Sequence, residues 1–87
     1  MLFYVYLIKT INRSPFKTYV GYTNNIKRRL INHNSNKGAK ATKGYKWELV
    51  FEKSFNNKSK ALSYEYKLKK DRVKRIDLIN GFDKKKY

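Results

Sequence analysis

The sequence predicts an α+β domain, a small three-stranded antiparallel sheet flanked by helices, and three observations lead there. A chain of 87 residues can bury one modest core and has no room for a second. Three runs rich in aromatic and branched residues begin at Leu2, Thr18 and Trp47. The stretches between and after them carry helix caps and helical spacing, in the order strand, strand, helix, strand, helix, helix.

Leu2 to Ile8 reads as the first strand, and Asn12, Arg13, Ser14 and Pro15 supply turn residues before a second, Thr18 to Gly21. The two pair as an antiparallel hairpin. Asn24 or Asn25 caps a helix that reaches about Asn34, where Asn34, Ser35, Asn36 and Gly38 end it. Lys37 to Lys46 reads as a flexible loop, with Lys37, Lys40, Lys43 and Lys46 either simply solvated or following a phosphate backbone. Trp47, Leu49 and Phe51 alternate with Glu48, Val50 and Glu52, a third strand with one strongly apolar face. Lys58 and Ser59 open a long helix to about Lys70, and a shorter one covers Arg72 to Ile79 before Gly81 stops it. Residues 1–82 are then the domain, and 83–87 are a basic tail, frayed over Lys84 to Lys86.

Lys and Arg number 22 against 6 Asp and Glu, a formal net charge of +16. Self-repulsion of that size points to a polyanionic partner, nucleic acid first, bound with an affinity that falls steeply with salt. Anionic membrane is the weaker alternative. No run approaches a transmembrane length, and the basic segments lack the Trp/Phe/Leu face of an interfacial helix. The absence of cysteine excludes disulfides and thiolate metal sites. Leu2 to Ile8 is hydrophobic enough for a signal core, but no basic segment precedes it and no small-residue cleavage site follows. The expected setting is intracellular and cytoplasmic, nucleoid-associated in a bacterium.

Three groups of residues can carry chemistry. The spacing of Ala61, Glu65 and Leu68 puts the Glu65 carboxylate on the helix face expected to be buried. Either an i,i+4 pair with Lys69 or a metal ion compensates it. Glu48, Glu52, Asp71, Asp77 and Asp83 are scattered, which favours one metal on one carboxylate over a two-metal cluster. On the first helix, Ile26 and Leu30 form the apolar stripe, His33 lies near it, Arg29 borders it and Arg28 faces solvent. Arg29 and His33, one turn apart, can hold a phosphate; the alternative is a basic DNA-facing helix whose His33 closes the core. Tyr4 and Tyr6 share a strand face with Ile8, and Tyr19 shares one with Gly21, where close approach is permitted. These tyrosines serve packing and base stacking or, in a cation-rich site, proton transfer.

Tyr4-Val5-Tyr6, 12 further residues and then Tyr19-Val20-Gly21 resemble the paired signature of the GIY-YIG nuclease superfamily. Arg29 matches the family's catalytic arginine, His33 the histidine a turn later and Glu65 the metal-binding glutamate. The resemblance covers about residues 3–82. Within the superfamily, the basic loop from Lys37 to Gly44 resembles that of small single-domain proteins related to the catalytic domain of structure-selective Slx1-type nucleases. Tyr4 stands where the signature has glycine, and the family's later asparagine corresponds to Asn80.

The resemblance implies a metal-dependent endonuclease that hydrolyses DNA phosphodiesters, structure-selective or single-strand-selective, of the kind used in repair or recombination. It implies one divalent ion, Mg²⁺ or Mn²⁺, on Glu65, with Arg29 steadying the pentavalent phosphate. Tyr6 or Tyr19 is then the base, and His33 assists it or orients phosphate. Arg28, Lys37, Lys40, Lys43, Lys46, Lys69 and Lys70, with the wider Lys67 to Arg75 segment, are expected to grip nucleic acid. A protein partner is one source of target choice for so short a chain. Two other readings stand beside this one. Lys43 to Val50 partly matches the aromatic strand of an RNA-recognition motif, which suggests a non-catalytic RNA-binding module. A decayed nuclease fold used as a scaffold is the other, and Arg29, His33 and Glu65 together oppose it.

Overall fold

The computed structural model describes residues 1–86, without the side chain of Lys86. The elements are β1 (Phe3–Thr10), β2 (Thr18–Thr23), α1 (Ile26–Asn34), a single 3₁₀ turn (Lys40–Thr42), β3 (Trp47–Phe55), α2 (Lys58–Lys70) and α3 (Arg72–Lys86). The three strands form one antiparallel sheet in the order β2-β1-β3. The expected α+β architecture is the observed one. An RNA-recognition motif needs a strand-helix-strand-strand-helix-strand order, which this chain does not have.

β1 is central and has helices on both faces, which explains why its apolar run is nearly continuous rather than alternating. Val5 and Leu7 pack with Val20, Ala61, Leu68 and Ile79 under α2 and α3. Tyr6 and Ile8 pack with Trp47 on the other face, where Ile26 and Leu30 of α1 cover them. Asn25, rather than Asn24, caps α1 by accepting the Arg28 N–H at 3.0 Å, and Asn57 caps α2 through Lys60 at 3.2 Å. Asp71 ends α2 and starts α3, its carboxylate accepting the Lys74 N–H at 3.0 Å.

Three expectations about element shape are corrected. The strict alternation of β3 fails, because Leu7 pairs with Phe51 and Ile8 with Leu49, leaving Val50 as the extra residue of a bulge. Phe51 therefore joins Val50 under α2 and α3 instead of sharing the Trp47 and Leu49 face. Gly81 does not stop the last helix either, since α3 runs through it to Lys86. Asp83, one turn beyond the buried Ile79, pairs with Lys9 at 2.8 Å. That pair, worth at most about 1 kcal/mol at this exposure, offsets part of the roughly 1 kcal/mol preference of glycine against helix. The frayed tail expected from Lys84 is helical as far as Lys86, and Tyr87 lies outside the described residues.

Candidate active site

β1 and the edge strand β2 set the geometry through register. Tyr6 lies directly across from Gly21, and Ile8 across from Tyr19. The Tyr6 ring leans over the Gly21 backbone so closely that a Cβ there would run into the phenol hydroxyl and Cζ. Glycine at this position is what lets Tyr6 reach toward the β2 edge.

At the far end of that reach, the Tyr6 hydroxyl meets two side chains of α1. Its oxygen accepts the Arg29 Nε–H at 3.3 Å, and it lies 2.8 Å from His33 Nε2. The direction of the second bond follows from the other ring nitrogen. His33 Nδ1 is 2.9 Å from Thr42 Oγ1, and the Thr42 hydroxyl donates its only proton to the Ala39 carbonyl at 2.8 Å. Thr42 therefore accepts, Nδ1 carries the imidazole proton, and Nε2 is the base that receives the Tyr6 O–H. His33 and Thr42 are fully buried, and among the described residues no buried side-chain polar atom lacks a partner.

Burial, with the Arg29 charge adding to it, lowers the His33 pKa to about 4, so the ring is neutral at pH 7. Burial pushes the Tyr6 phenol up, against the opposing pull of Arg29, and the Glu65 carboxylate is near enough to push in the same upward direction. Arg29 is raised in turn, mainly by its hydrogen bond to Tyr6, with Tyr19 contributing. The Tyr19 ring is half-buried, with its centroid 6.4 Å from that of Tyr6 and 5.2 Å from that of His33. Tyr6, Tyr19, Arg29, His33 and Glu65 are thus brought to one place from β1, β2, α1 and α2.

Three expectations about this cluster are revised. Glu65 is not buried: its side chain is 18% exposed and pairs with the exposed Lys69 at 3.6 Å. The carboxylate thus keeps partial access to solvent. His33 cannot touch a phosphate, because it is enclosed and both ring nitrogens are engaged, so the pairing with Arg29 acts through Tyr6. The Lys37 to Lys46 segment is not a free loop. Lys37 N–H bonds to the Asn32 carbonyl at 2.8 Å, Gly44 N–H to Asn36 Oδ1 at 2.8 Å, and Trp47 Nε1–H to the Thr42 carbonyl at 3.0 Å. Gly38 is pressed against the His33 ring, where a Cβ would collide with Nδ1.

Arg28, Lys37, Lys40, Lys43, Lys46, Lys69 and Lys70 are all exposed. Lys69 touches the cluster through Glu65, while Lys70 sits over the Tyr66 ring at 4.3 Å and Lys46 Nζ donates to the Asn34 carbonyl at 3.1 Å. Asn80 is exposed on α3, with no hydrogen bond to the cluster among the described residues. Thr42, Gly38 and Asn34 were missed as site residues by sequence reasoning. The Asn34 amide accepts the Trp47 N–H at 2.7 Å and donates to the Trp47 carbonyl at 3.1 Å, docking the end of α1 on β3. A Thr among lysines and an Asn at a helix end carry no signal of such partners.

No three His, Cys, Asp or Glu among the described residues converge as a metal-binding group, and Glu65 is the carboxylate at the cluster. A single accessible carboxylate whose protein partner is a distant, exposed lysine suits a divalent ion that keeps most of its water and takes oxygens from a phosphate. No helix among the described residues is long and apolar enough to cross a membrane.

Comparison with known proteins agrees with this geometry. The GIY-YIG catalytic domain model matches residues 2–78. The chain is 41% identical over 78 residues to a UPF0213 protein of Oceanobacillus iheyensis, covering 87% of each chain. It is 39% identical over 79 residues to a UPF0213 protein of Staphylococcus saprophyticus, covering 88% of this chain and 93% of that one. The solution NMR structure of a UPF0213 protein from Bacillus halodurans superimposes with a TM-score of 0.52 at 34% identity, over 92% of this chain and 84% of the other. A GIY-YIG match over nearly the whole length, with the paired tyrosine strands meeting the α1 arginine and histidine, places the chain in the GIY-YIG catalytic-domain family, a family of nucleases.

Proposed function

We propose that the protein is a metal-dependent endonuclease that hydrolyses DNA phosphodiester bonds with selectivity for branched or single-stranded structure. The observation that carries this reading is the Tyr6 hydroxyl held between the Arg29 guanidinium and the unprotonated Nε2 of His33. Water attacks phosphorus and the bond from phosphorus to the leaving sugar oxygen breaks, while the water proton moves to the Tyr6 oxygen, the Tyr6 proton moves to His33 Nε2 and the leaving oxygen takes its proton from solvent. Tyr6 is the better base of the two tyrosines because it has an acceptor behind it. Thr42 keeps that acceptor in the correct tautomer. A phosphodiester against Arg29 offsets the positive charge that helps depress the His33 pKa, so substrate makes the imidazole a stronger base. The remaining Arg29 donors face the charge that develops on the phosphoryl oxygens.

Glu65 would hold one Mg²⁺ or Mn²⁺, and such an ion, when bound, supplies Lewis-acid stabilisation of phosphoryl charge. Arg28, Lys37, Lys40, Lys43, Lys46, Lys69 and Lys70 hold the DNA backbone electrostatically, and Asn80 is assigned a supporting role by family correspondence alone. Residues 1–82 carry the activity and 83–87 add basic charge. The setting is intracellular DNA repair or recombination, with a protein partner choosing the target.

The test incubates the protein with single-stranded, duplex and branched DNA in Mg²⁺, in Mn²⁺ and in chelator. Metal-dependent internal cleavage is expected, abolished in Glu65→Gln and Arg29→Ala while DNA binding is retained. Equal loss of binding and cutting, or no cutting of any substrate, overturns it.

A further inference from the structure

An open groove of about 630 Å³ lies at the end of the sheet where β2 and β3 begin, between α3 on one side and the 3₁₀ turn at Ala41 on the other. Its walls include Phe16 and Ile76, apolar side chains that remain 47% and 40% exposed, and the edge of Trp47. Lys17, Arg72 and Arg75 stand around these, and no acidic residue lines the groove. A smaller recess beside it, lined by Lys69, Arg75 and Tyr19, carries the same character toward the cluster. Tyr19 lines both, and its ring is the one that packs against Tyr6 and His33. Arg75 Nη1 donates to the Leu68 carbonyl at 2.9 Å and to the Lys69 carbonyl at 2.5 Å, which holds the side chain in place and leaves its Nε and Nη2 donors for a ligand.

We propose that this groove binds unpaired nucleotides of the substrate strand next to the cleavage site, bases on Phe16 and Ile76 and phosphates along Lys17, Arg72, Arg75 and Lys69. The proposal rests on the reading of nucleic acid as substrate and adds which part of it this surface takes. Charge complementarity selects the occupant: a cationic rim around exposed apolar side chains matches a strand that shows both phosphates and base faces. A duplex hides its base faces in the stack and offers such a floor nothing. An apolar peptide or a second copy of this chain, at net charge +16, meets the cationic rim unfavourably.

The experiment measures binding in chelator, so that no strand is cut, of three probes at equal salt: a 12-nucleotide oligothymidine, an abasic strand with the same number of phosphates, and a 12-base-pair duplex. Wild-type protein is expected to prefer oligothymidine to the abasic strand by about tenfold, the scale of one to two stacked bases. Phe16→Ala and Ile76→Ala each reduce that ratio severalfold and leave abasic binding unchanged, whereas Lys17→Ala, which removes a phosphate contact of the groove, weakens oligothymidine and abasic strand alike. Both substituted side chains are substantially exposed, and circular dichroism of each variant checks the fold. Equal affinity for oligothymidine and abasic strand, a preference for duplex, or a base preference that survives both substitutions overturns the proposal. Cleavage without base preference removes the groove alone, and base preference without cleavage removes the nuclease reading alone.

Discussion

The two faces of the sheet share β1 but are built on opposite principles. Under α2 and α3, Val5 and Leu7 meet Val20, Ala61, Leu68 and Ile79, and burial of apolar surface does the stabilising. Under α1, the same strand presents Tyr6 to His33 and Arg29, with Thr42 behind His33, and what is enclosed there is a chain of polar groups with every partner in place. One face therefore tolerates any well-shaped hydrophobic filling, while the other depends on particular donors and acceptors. A polar chain earns its place in so small a core only by chemistry, since apolar residues of similar volume stabilise as well or better.

The sharpest break between the faces is a crossed pair of substitutions. Arg29→Ala is expected to reduce the cleavage rate by about 10²- to 10³-fold, the cost of losing a donor aimed at developing charge. It should leave urea-unfolding stability within about 1 kcal/mol. Leu7→Ala should do the reverse, losing about 2–5 kcal/mol of stability while the folded fraction keeps its activity. If both variants lose activity and stability in parallel, the division of labour is wrong.

Acid should attack the polar face alone. The His33 pKa is about 4 in the folded chain against 6.5 unfolded, so its neutral form contributes to stability above pH 6.5. That contribution, up to about 3 kcal/mol by the conversion of 1.36 kcal/mol per pKa unit, is lost as pH falls from 6.5 toward 4. Unfolding midpoints of wild type and His33→Phe over this range check it: the wild-type decline should be the steeper, and parallel declines would place the acid sensitivity elsewhere.

Thr42 sharpens the comparison within the polar face. Thr42→Val keeps the shape, and the Ala39 carbonyl keeps the Thr42 backbone N–H at 3.0 Å, but the Nδ1 proton is stranded at a cost of about 1–3 kcal/mol and the imidazole is free to switch tautomer. Thr42→Ser should restore the tautomer, readable from the ring-nitrogen chemical shifts, together with the cleavage rate. A valine variant with wild-type nitrogen shifts would show that Thr42 merely fills space. The smallest expected effect is a rise of the His33 pKa in Arg29→Ala, since the arginine charge is the lesser cause of the depression; histidine NMR titration measures it.

The sequence by itself determined what depends on near neighbours. The order of elements along the chain, the start of the long helix at Lys58, the cap of the first helix within one residue at Asn25, and the buried stripe of Ala61 and Leu68 all follow from local propensity and period. Tyr6, Arg29 and Glu65 were legible as candidates for the same reason, because a helical or strand repeat tells which side chains share a face. Tertiary structure decided the rest. His33 meets Tyr6 across 27 positions and Thr42 across 9, and a bulge at Val50 decides which face Phe51 joins. Asp83 finds Lys9 across 74 positions, on the part of α3 that continues past Gly81. Hydrogen-bond direction and burial arise from groups that converge only in the folded chain, and no period in the sequence encodes that convergence. Glu65 is the plainest case: its helix face was readable, but its partial exposure was set only by how α2 packs on the sheet.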